Sequence, residues 1–523
     1  MNTSEPYVTD TDTEATKTRE TQVEEVGVTA GSQQRRRQDA VQEHLVERAR
    51  EVGAPAEEHL DRGGGGHSRR ILLVGLGGAA HDLALGGWRS ELRTLDLLAE
   101  RGAWCKLRGG LPLGNLPAWL GLFSGLDAGQ LGLYGPSNRI NRSYLPPQPV
   151  DSRAVRDPRL WDLLGAAGRH VGVVGAPATT PPPAVNGHLI GDRALPDGTP
   201  ATFPAALAQQ VGAWLGDAAL PPVEIHAGDI NSVVQAAYVR AEERFLLARR
   251  LLARDTYDCF VLVDDGIATV QNALWSAFDP AHPRYAPDHP FAGAIGAFYR
   301  FVDDQLFELL ELVDDETIVA IASVGGASVL QGELALNEWL IEQGDLVLRS
   351  MPSQPTALEL CDVDWEQTRA WASDAGAIFL NVAGREPQGV VPTDQAEQVR
   401  TRLVERLRAL HSPDARPALD VYRPEALFSV RQGVAPDLFV TCALPGWRTT
   451  ATVGSGGVWH GVTADGDAAI DTSNGFLLVY DPRNPAGGRT LDDASIYDVV
   501  PTLLTLCNQP IPARLRGQII PGL

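Results

Sequence analysis

Ile71-Leu72-Leu73-Val74-Gly75-Leu76-Gly77-Gly78 is the stretch whose reading decides the fold. Five of its first six residues are large and apolar, and two glycines close it, so no inward and outward face alternate. That is the pattern of a strand buried on both faces of a parallel sheet and opening into a loop. Strand and helix signals alternate around it. Residues 92–101 and 160–168 read as helices, 170–175 as a strand, and 231–254 as a long helical stretch leading into a strand at 259–263. Further apolar strands follow at 317–323 and 438–442. Strands separated by helices of this length predict an α/β fold, a doubly wound, mostly parallel sheet flanked by helices. Ligands of such sheets sit at the carboxyl ends of the strands.

Two segments depart from this rhythm. Residues from about 330 to 430 show mixed polar helices, such as 395–410, and loops in place of buried strands, which predicts a cap or insertion over the sheet. Residues 1–69 are rich in Thr, Glu, Gln and Arg, poor in large apolar side chains, and close on a run of glycines at 63–66. Such a segment buries too little surface to offset its ordering entropy, so a mostly disordered tail is expected, with a helix around 38–52. The folded domain is then 70–523, without an internal repeat.

Composition narrows the function classes. The chain has 523 residues, 44% of them hydrophobic, enough for a sizeable core. Its formal charge of −22 argues against nucleic acid and anionic membrane as partners, because both must be neutralised by Lys and Arg. Lys17 and Lys106 are the only lysines while arginine and alanine abound, a bias expected of a GC-rich bacterial genome, with salt adaptation as the alternative. Cys105, Cys259, Cys361, Cys442 and Cys507 are odd in number, far apart and without a CxxC pair, which predicts neither a disulfide framework nor a zinc knuckle. No signal peptide or apolar span is legible, and Gln, Asp and Glu follow Arg35, Arg36 and Arg37 where a twin-arginine signal needs an apolar run. A cytoplasmic protein is expected.

More specific runs are spread along the body. LPLGNLPAWLGLFSGLDAGQLGLYG (111–135), LWDLLGAAGRHVGVVGAP (160–177), FVLVDDGIATVQNALW (260–275) and YRFVDDQL (299–306) are followed by NEWLIEQGDL (337–346) and IFLNVAGREPQGVV (378–391). PDLFV (436–440), a glycine-rich stretch around 453–466 and YDVVPTLLTL (497–506) complete the series. In this order the body resembles the type I phosphodiesterase and nucleotide pyrophosphatase branch of the alkaline phosphatase superfamily. The resemblance implies an alkaline-phosphatase-like fold and a site of two divalent metals, usually zinc, held by three Asp and three His beside a Thr or Ser nucleophile. One metal lowers the pKa of the attacking hydroxyl and the other stabilises the leaving oxygen, so anionic and imidazole donors must converge within about 2.0–2.3 Å of each ion.

Carried over position by position, that pattern meets different residues. The first aspartate falls on Gly77 and the nucleophile on Asn115. The Asp and His four apart fall on Ala268 and Asn272, the adjacent Asp-His pair on Val324 and Gly325, and the last histidine on Val462. The histidine of the family's HG motif, which binds no metal, falls on Leu131. Gly, Ala and Val have no side-chain donor and neutral Asn is a poor zinc ligand, so the resemblance implies no catalytic residue, no metal and no cofactor. A shifted frame leaves His460, Asp264, Asp265, His81 and Asp82 as alternative donors.

Other chemistry has thin support. Ser124, Thr269, Ser323 and Ser455, with His81 and His460 as bases, are the available nucleophile pairs, none in a nucleophile-elbow setting. Glycines at 75–78 and 453–457 offer backbone amides to an anion. His282 and His289 flank Tyr285 in a loop that matches the family's outer substrate region, and Trp119, Trp161, Trp275, Trp339 and Trp365 read as core. The expectation is therefore a catalytically degenerate phosphodiesterase-like protein, a pseudoenzyme that binds, regulates or scaffolds. Its partner would be a protein or a small anionic ligand, with Asn115, Asn272, His81, Asp82 and His460 as ligand-binding candidates, in a homo- or hetero-oligomer. Two alternatives stay open: a metal-independent enzyme repurposed for specialised metabolism, and a metal-dependent phosphodiesterase with a rearranged site. Turnover insensitive to chelator marks the first, and metal content with loss of activity in EDTA the second.

Overall fold

A computed structural model describes residues 69–112, 114–217, 229–373, 376–413, 415–462 and 468–523. The expected tail, apart from Arg69, and its helix around 38–52 lie outside the described residues. From the amino end the main elements are β1 (Arg70–Leu76), α1 (Arg93–Arg101), β2 (Ala103–Arg108), α2 (Asn115–Ser124), α3 (Leu160–Ala166), β3 (Val171–Val174) and β4 (Gly187–Ile190). Then come α4 (Ile230–Arg254), β5 (Cys259–Asp264), α5 (Gly266–Phe278), α6 (Ala294–Leu310), β6 (Thr317–Ser323), α7 (Leu336–Glu342), β7 (Ala370–Ser373) and β8 (Ala377–Leu380). The series closes with α8 (Ala396–Arg408), β9 (Leu419–Tyr422), β10 (Leu438–Cys442), β11 (Gly475–Tyr480) and α9 (Val499–Leu506).

β1 lies in the middle of a ten-stranded sheet, hydrogen-bonded in parallel to β5 on one side and β6 on the other. Its apolar run is continuous because both faces are covered. Leu72, Val74 and Leu76 enter one core with α1, α4, α5 and α6, while Ile71 and Leu73 enter the opposite core with α2, α3 and α9. Successive side chains of a strand point to opposite faces, so one run serves two cores. The sheet continues β5, β3, β4 on one flank and β6, β11, β2 on the other, with two-residue strands at the edges. β11 runs antiparallel between β6 and β2, so the sheet is mostly parallel and mixed at that flank. Gly75 is a glycine for a local reason: a Cβ there would stand 2.7 Å from the Trp119 indole of α2, which covers the strand.

The segment read as a cap of helices and loops is built differently. β7, β8, β10 and β9 form a four-stranded antiparallel sheet. Trp339, Ile378, Leu380, Leu407, Leu438 and Val440 share a separate core beneath it. The expectation of loops without buried strands is corrected, and 438–442, read as part of the central sheet, belongs to this second one. Four-residue strands carry too little pattern to register as periodic. Asn337 ties α7 to β7, its side-chain amide donating to the Ala372 carbonyl at 3.0 Å and accepting from the Ala372 N–H at 2.7 Å. Asn381 is fully buried and its amide reaches the carbonyls of Trp365 and Thr368 at 2.8 and 2.9 Å. These Asn residues of the NEWL and FLNV runs serve the scaffold.

Trp119, Trp161, Trp275 and Trp339 are core residues as expected, and Trp365 stacks on Tyr144 with ring centroids 3.9 Å apart. The five cysteines are free. No helix among the described residues is long and apolar enough to cross a membrane.

Candidate functional site

The carboxyl ends of β1, β5 and β6 are adjacent, and the residues that follow them define the site where this topology places ligands. Gly77 leaves β1 with its N–H donated to the Asp264 carbonyl at 2.7 Å, and its own carbonyl accepts the Ala268 N–H at 3.1 Å. Gly78 follows at φ +80°, where a Cβ would lie 2.7 Å from the Ala268 backbone. The turn after β1 therefore rests directly on the first turn of α5. The β6 side closes in the same way. A Cβ on Gly325 would stand 2.3 Å from the Thr472 carbonyl, and one on Gly326 would stand 2.5 Å from the Ala80 Cβ, while Val324 is 3% exposed. Close backbone approach occupies the ground between the strand ends.

Four of the residues onto which the sequence resemblance carries the family's ligands, Gly77, Ala268, Val324 and Gly325, thus lie at neighbouring strand ends. Asn272 is one turn further along α5, and its carbonyl accepts the Ala468 N–H at 2.7 Å. Asn115 begins α2, one turn before the Trp119 that covers Gly75. Val462 is half-buried and immediately precedes residues outside the described set. Leu131 is buried against Leu120, Leu126 and Leu133. This donor set does not fit two divalent metals: Gly, Ala and Val supply no lone pair, and the two Asn side chains are neutral. Among the described residues, no group of three or more His, Cys, Asp or Glu side chains is placed to hold a metal ion.

Of the donors of a shifted frame, Asp264 and Asp265 are engaged by an arginine, while the two histidines each keep a buried Nε2 without a hydrogen bond among the described residues. Arg244 of α4 reaches Asp265 at 2.6 Å and Asp264 at 3.5 Å, and Asp264 also accepts the Gly266 N–H at 2.9 Å. Burial holds the Asp264 carboxyl above its ordinary pKa despite Arg244. At Asp265 the same effect of burial is outweighed by Arg244 and Arg240, which hold the carboxyl below its ordinary value. An arginine thus compensates the acidic pair at the end of β5. His81 Nδ1 is 3.2 Å from the Asn474 carbonyl. Its Nε2 lies 2.7 Å from the largely exposed Asp82 carboxylate but is too poorly aligned for a hydrogen bond. His460 stands on a short strand, Trp459–Gly461, opposite Glu333, with its Nε2 buried and unpartnered among the described residues. The structure does not assemble these side chains into one constellation.

The remaining candidates have structural duties. The hydroxyls of Ser124, Ser323 and Thr269 donate to the carbonyls of Leu120, Gly325 and Asp265 at 2.6, 2.7 and 3.2 Å. The glycine-rich loop does present backbone amides, but those of Gly454 and Ser455 donate to the Glu338 carboxylate at 2.7 and 2.9 Å. His282 and His289 use Nδ1 to accept N–H groups of Arg284 and Phe291 in tight turns, and burial pushes the His282 pKa down. Sequence reasoning missed Arg244, and it missed the polar contact behind the site: the Tyr299 hydroxyl accepts the Ala80 N–H at 3.2 Å and the Gln271 amide at 2.9 Å. Tyr299 stands in the YRFVDDQL run, and its reach to Ala80 carries no signal in sequence spacing.

Comparison with known proteins supplies the family. Residues 71–466 match the family model described as type I phosphodiesterase / nucleotide pyrophosphatase. Among solved structures, murine ectonucleotide pyrophosphatase / phosphodiesterase 5, in an inactive form in complex with AMP, is 12% identical with a TM-score of 0.49. The match covers 85% of this chain and 96% of that one. The human counterpart is 13% identical with a TM-score of 0.48 over the same shares. No curated protein matches the chain in sequence. With the model spanning the strand-end loops of β1 and β6 and all of the second sheet, this chain belongs to the type I phosphodiesterase / nucleotide pyrophosphatase family.

Proposed function

We propose that this chain is a catalytically degenerate member of its family that acts as a binding or regulatory protein, recognising a protein partner or a small anionic ligand. One observation carries the reading: the turn at Gly77 and Gly78 is seated on Ala268, in the place where the family's chemistry needs a carboxylate to reach a metal. An Asp side chain at 77 would begin 3.1 Å from the Asp265 Cα and 3.3 Å from the Asp264 carbonyl. The engagement of Asp264 and Asp265 by Arg244 supports the same reading, because a guanidinium already compensates the carboxylates on which a shifted metal site would depend.

Elemental mass spectrometry of the untagged full chain, paired with hydrolysis of bis(p-nitrophenyl) phosphate with and without EDTA, tests this. The expected result is negligible bound zinc and no turnover above buffer. About two tightly bound ions per chain with EDTA-sensitive hydrolysis would overturn the proposal in favour of a rearranged metal site. EDTA-insensitive hydrolysis would overturn it in favour of metal-independent catalysis.

A further inference from the structure

A cleft of about 380 Å³ opens beside the second sheet, lined by Arg142, Arg385, Arg400, Arg431, Glu425 and Asp437, with two prolines and an alanine as an apolar wall. Its size is that of a small-ligand site. The segment that carries Arg142 is fastened at the end of β8 two residues later, where the Tyr144 hydroxyl donates to Asn381 Oδ1 at 2.6 Å. In a chain with 66 acidic against 44 basic side chains, four guanidinium groups on one concave surface depart from the average.

The four are not equally engaged. Arg385 holds both oxygens of Asp437 at 2.7 Å and the buried Glu386 at 2.9 Å. Arg400 bridges Glu397 and Glu425 at 2.6 Å each. Among the described residues Arg142 reaches only Glu386 Oε1, at 3.3 Å, an oxygen that Arg385 already holds at 3.0 Å. Arg431 is exposed, and its Nη1 donates to the Phe428 carbonyl at 3.3 Å. A guanidinium group carries five N–H donors in a planar fork, so Arg142 and Arg431 keep several donors that these contacts do not use. Asp437, Glu386, Glu397 and Glu425 together match the four guanidinium groups in charge, so what the cleft offers an anion is the set of N–H donors left unused on Arg142 and Arg431.

We propose that this cleft binds a small molecule bearing an oxyanion, a phosphate or a carboxylate, held by Arg142 and Arg431 beside the ion-paired Arg385 and Arg400. The fork of donors matches paired oxygens of such groups, and the proline and alanine wall suits a compact apolar portion. The site stands apart from the strand-end reading, since none of its residues comes from the loops after β1, β5 or β6.

The test is isothermal titration of the full chain, in EDTA so that metal at the strand ends contributes no signal, with inorganic phosphate, phenyl phosphate and benzoate. The expected result is saturable binding of at least one probe that weakens as NaCl is added. Tighter binding of phenyl phosphate or of benzoate assigns the phosphate or the carboxylate as the recognised group. In the R142A/R431A variant the affinity falls by about tenfold or more, the loss of one or two charge-assisted hydrogen bonds. Arg431 is exposed, so R431A alone keeps the wild-type melting temperature and still loses affinity. No saturable binding of any probe up to about 10 mM, or unchanged affinity in both variants, overturns the proposal.

Discussion

Arg244 illustrates how a single residue reshapes this site. It is drawn from the middle of α4, is 11% exposed at its side chain, and is bonded to two carboxylates at the end of β5. Asp264 is buried and Asp265 is half open to solvent, so the buried partner bears most of the penalty if the arginine is lost. R244A is expected to lower unfolding free energy by about 3 kcal/mol, because removing one partner leaves a buried charge uncompensated. Urea unfolding at pH 7 measures it, and a loss within about 0.5 kcal/mol, typical of a surface change, would show that the carboxylates need no compensation. Nothing in the sequence joined these residues. Arg244 precedes Asp264 by 20 positions in a helical run, and only the packing of α4 beside β5 brings the guanidinium to the strand end. Gly77, Ala268, Val324 and Gly325 could be singled out from the motif order alone, and the structure brings them to neighbouring strand ends.

Helix termini show how elements are held. α1 has no capping side chain of its own, and Asp303 from α6 supplies one. Its carboxylate accepts the N–H groups of Thr94 and Leu95, both at 2.9 Å, and its carbonyl accepts the Thr94 hydroxyl at 3.0 Å. Burial outweighs these hydrogen bonds and pushes the Asp303 pKa up to about 6. The folded state then holds this proton more tightly than the unfolded chain, so the contribution is fully present below about pH 4 and lost as pH rises through 6. The corresponding fall in stability is about 3 kcal/mol. Unfolding free energies of wild type and D303N at pH 4, 5, 6 and 7 isolate it: the wild type should lose stability relative to the variant across that window, and parallel profiles would refute the assignment. The YRFVDDQL run contains this aspartate, yet its reading as a motif did not disclose a cap for a helix 209 residues earlier.

Across the whole molecule, charge and topology set behaviour that no single element shows. A formal charge of −22 repels itself in the compact state, and screening relieves this. The melting temperature is expected to rise between about 10 mM and about 150 mM NaCl, as the Debye length shortens from about 30 Å to about 8 Å. A flat or falling curve in differential scanning calorimetry would mean that the ion pairs of the surface outweigh the net repulsion.

The sequence by itself determined the buried central strand, the helix-strand alternation and the family, because apolar runs, helical periodicity and ordered motifs are local properties of the chain. It placed β5, β6, α4 and α8 within a few residues of where they lie. Only the tertiary structure decided that β11 enters the sheet antiparallel between β6 and β2, and that 438–442 joins a second sheet with β8 and β9. It also decided that Gly77 and Gly78 close onto Ala268, that Arg244 and Tyr299 take up polar groups at the strand ends, and that Glu338 takes up the amides of the glycine-rich loop. The physical reason is that strand partners and buried hydrogen bonds join residues hundreds of positions apart, and their choice depends on which faces meet when both cores are buried together.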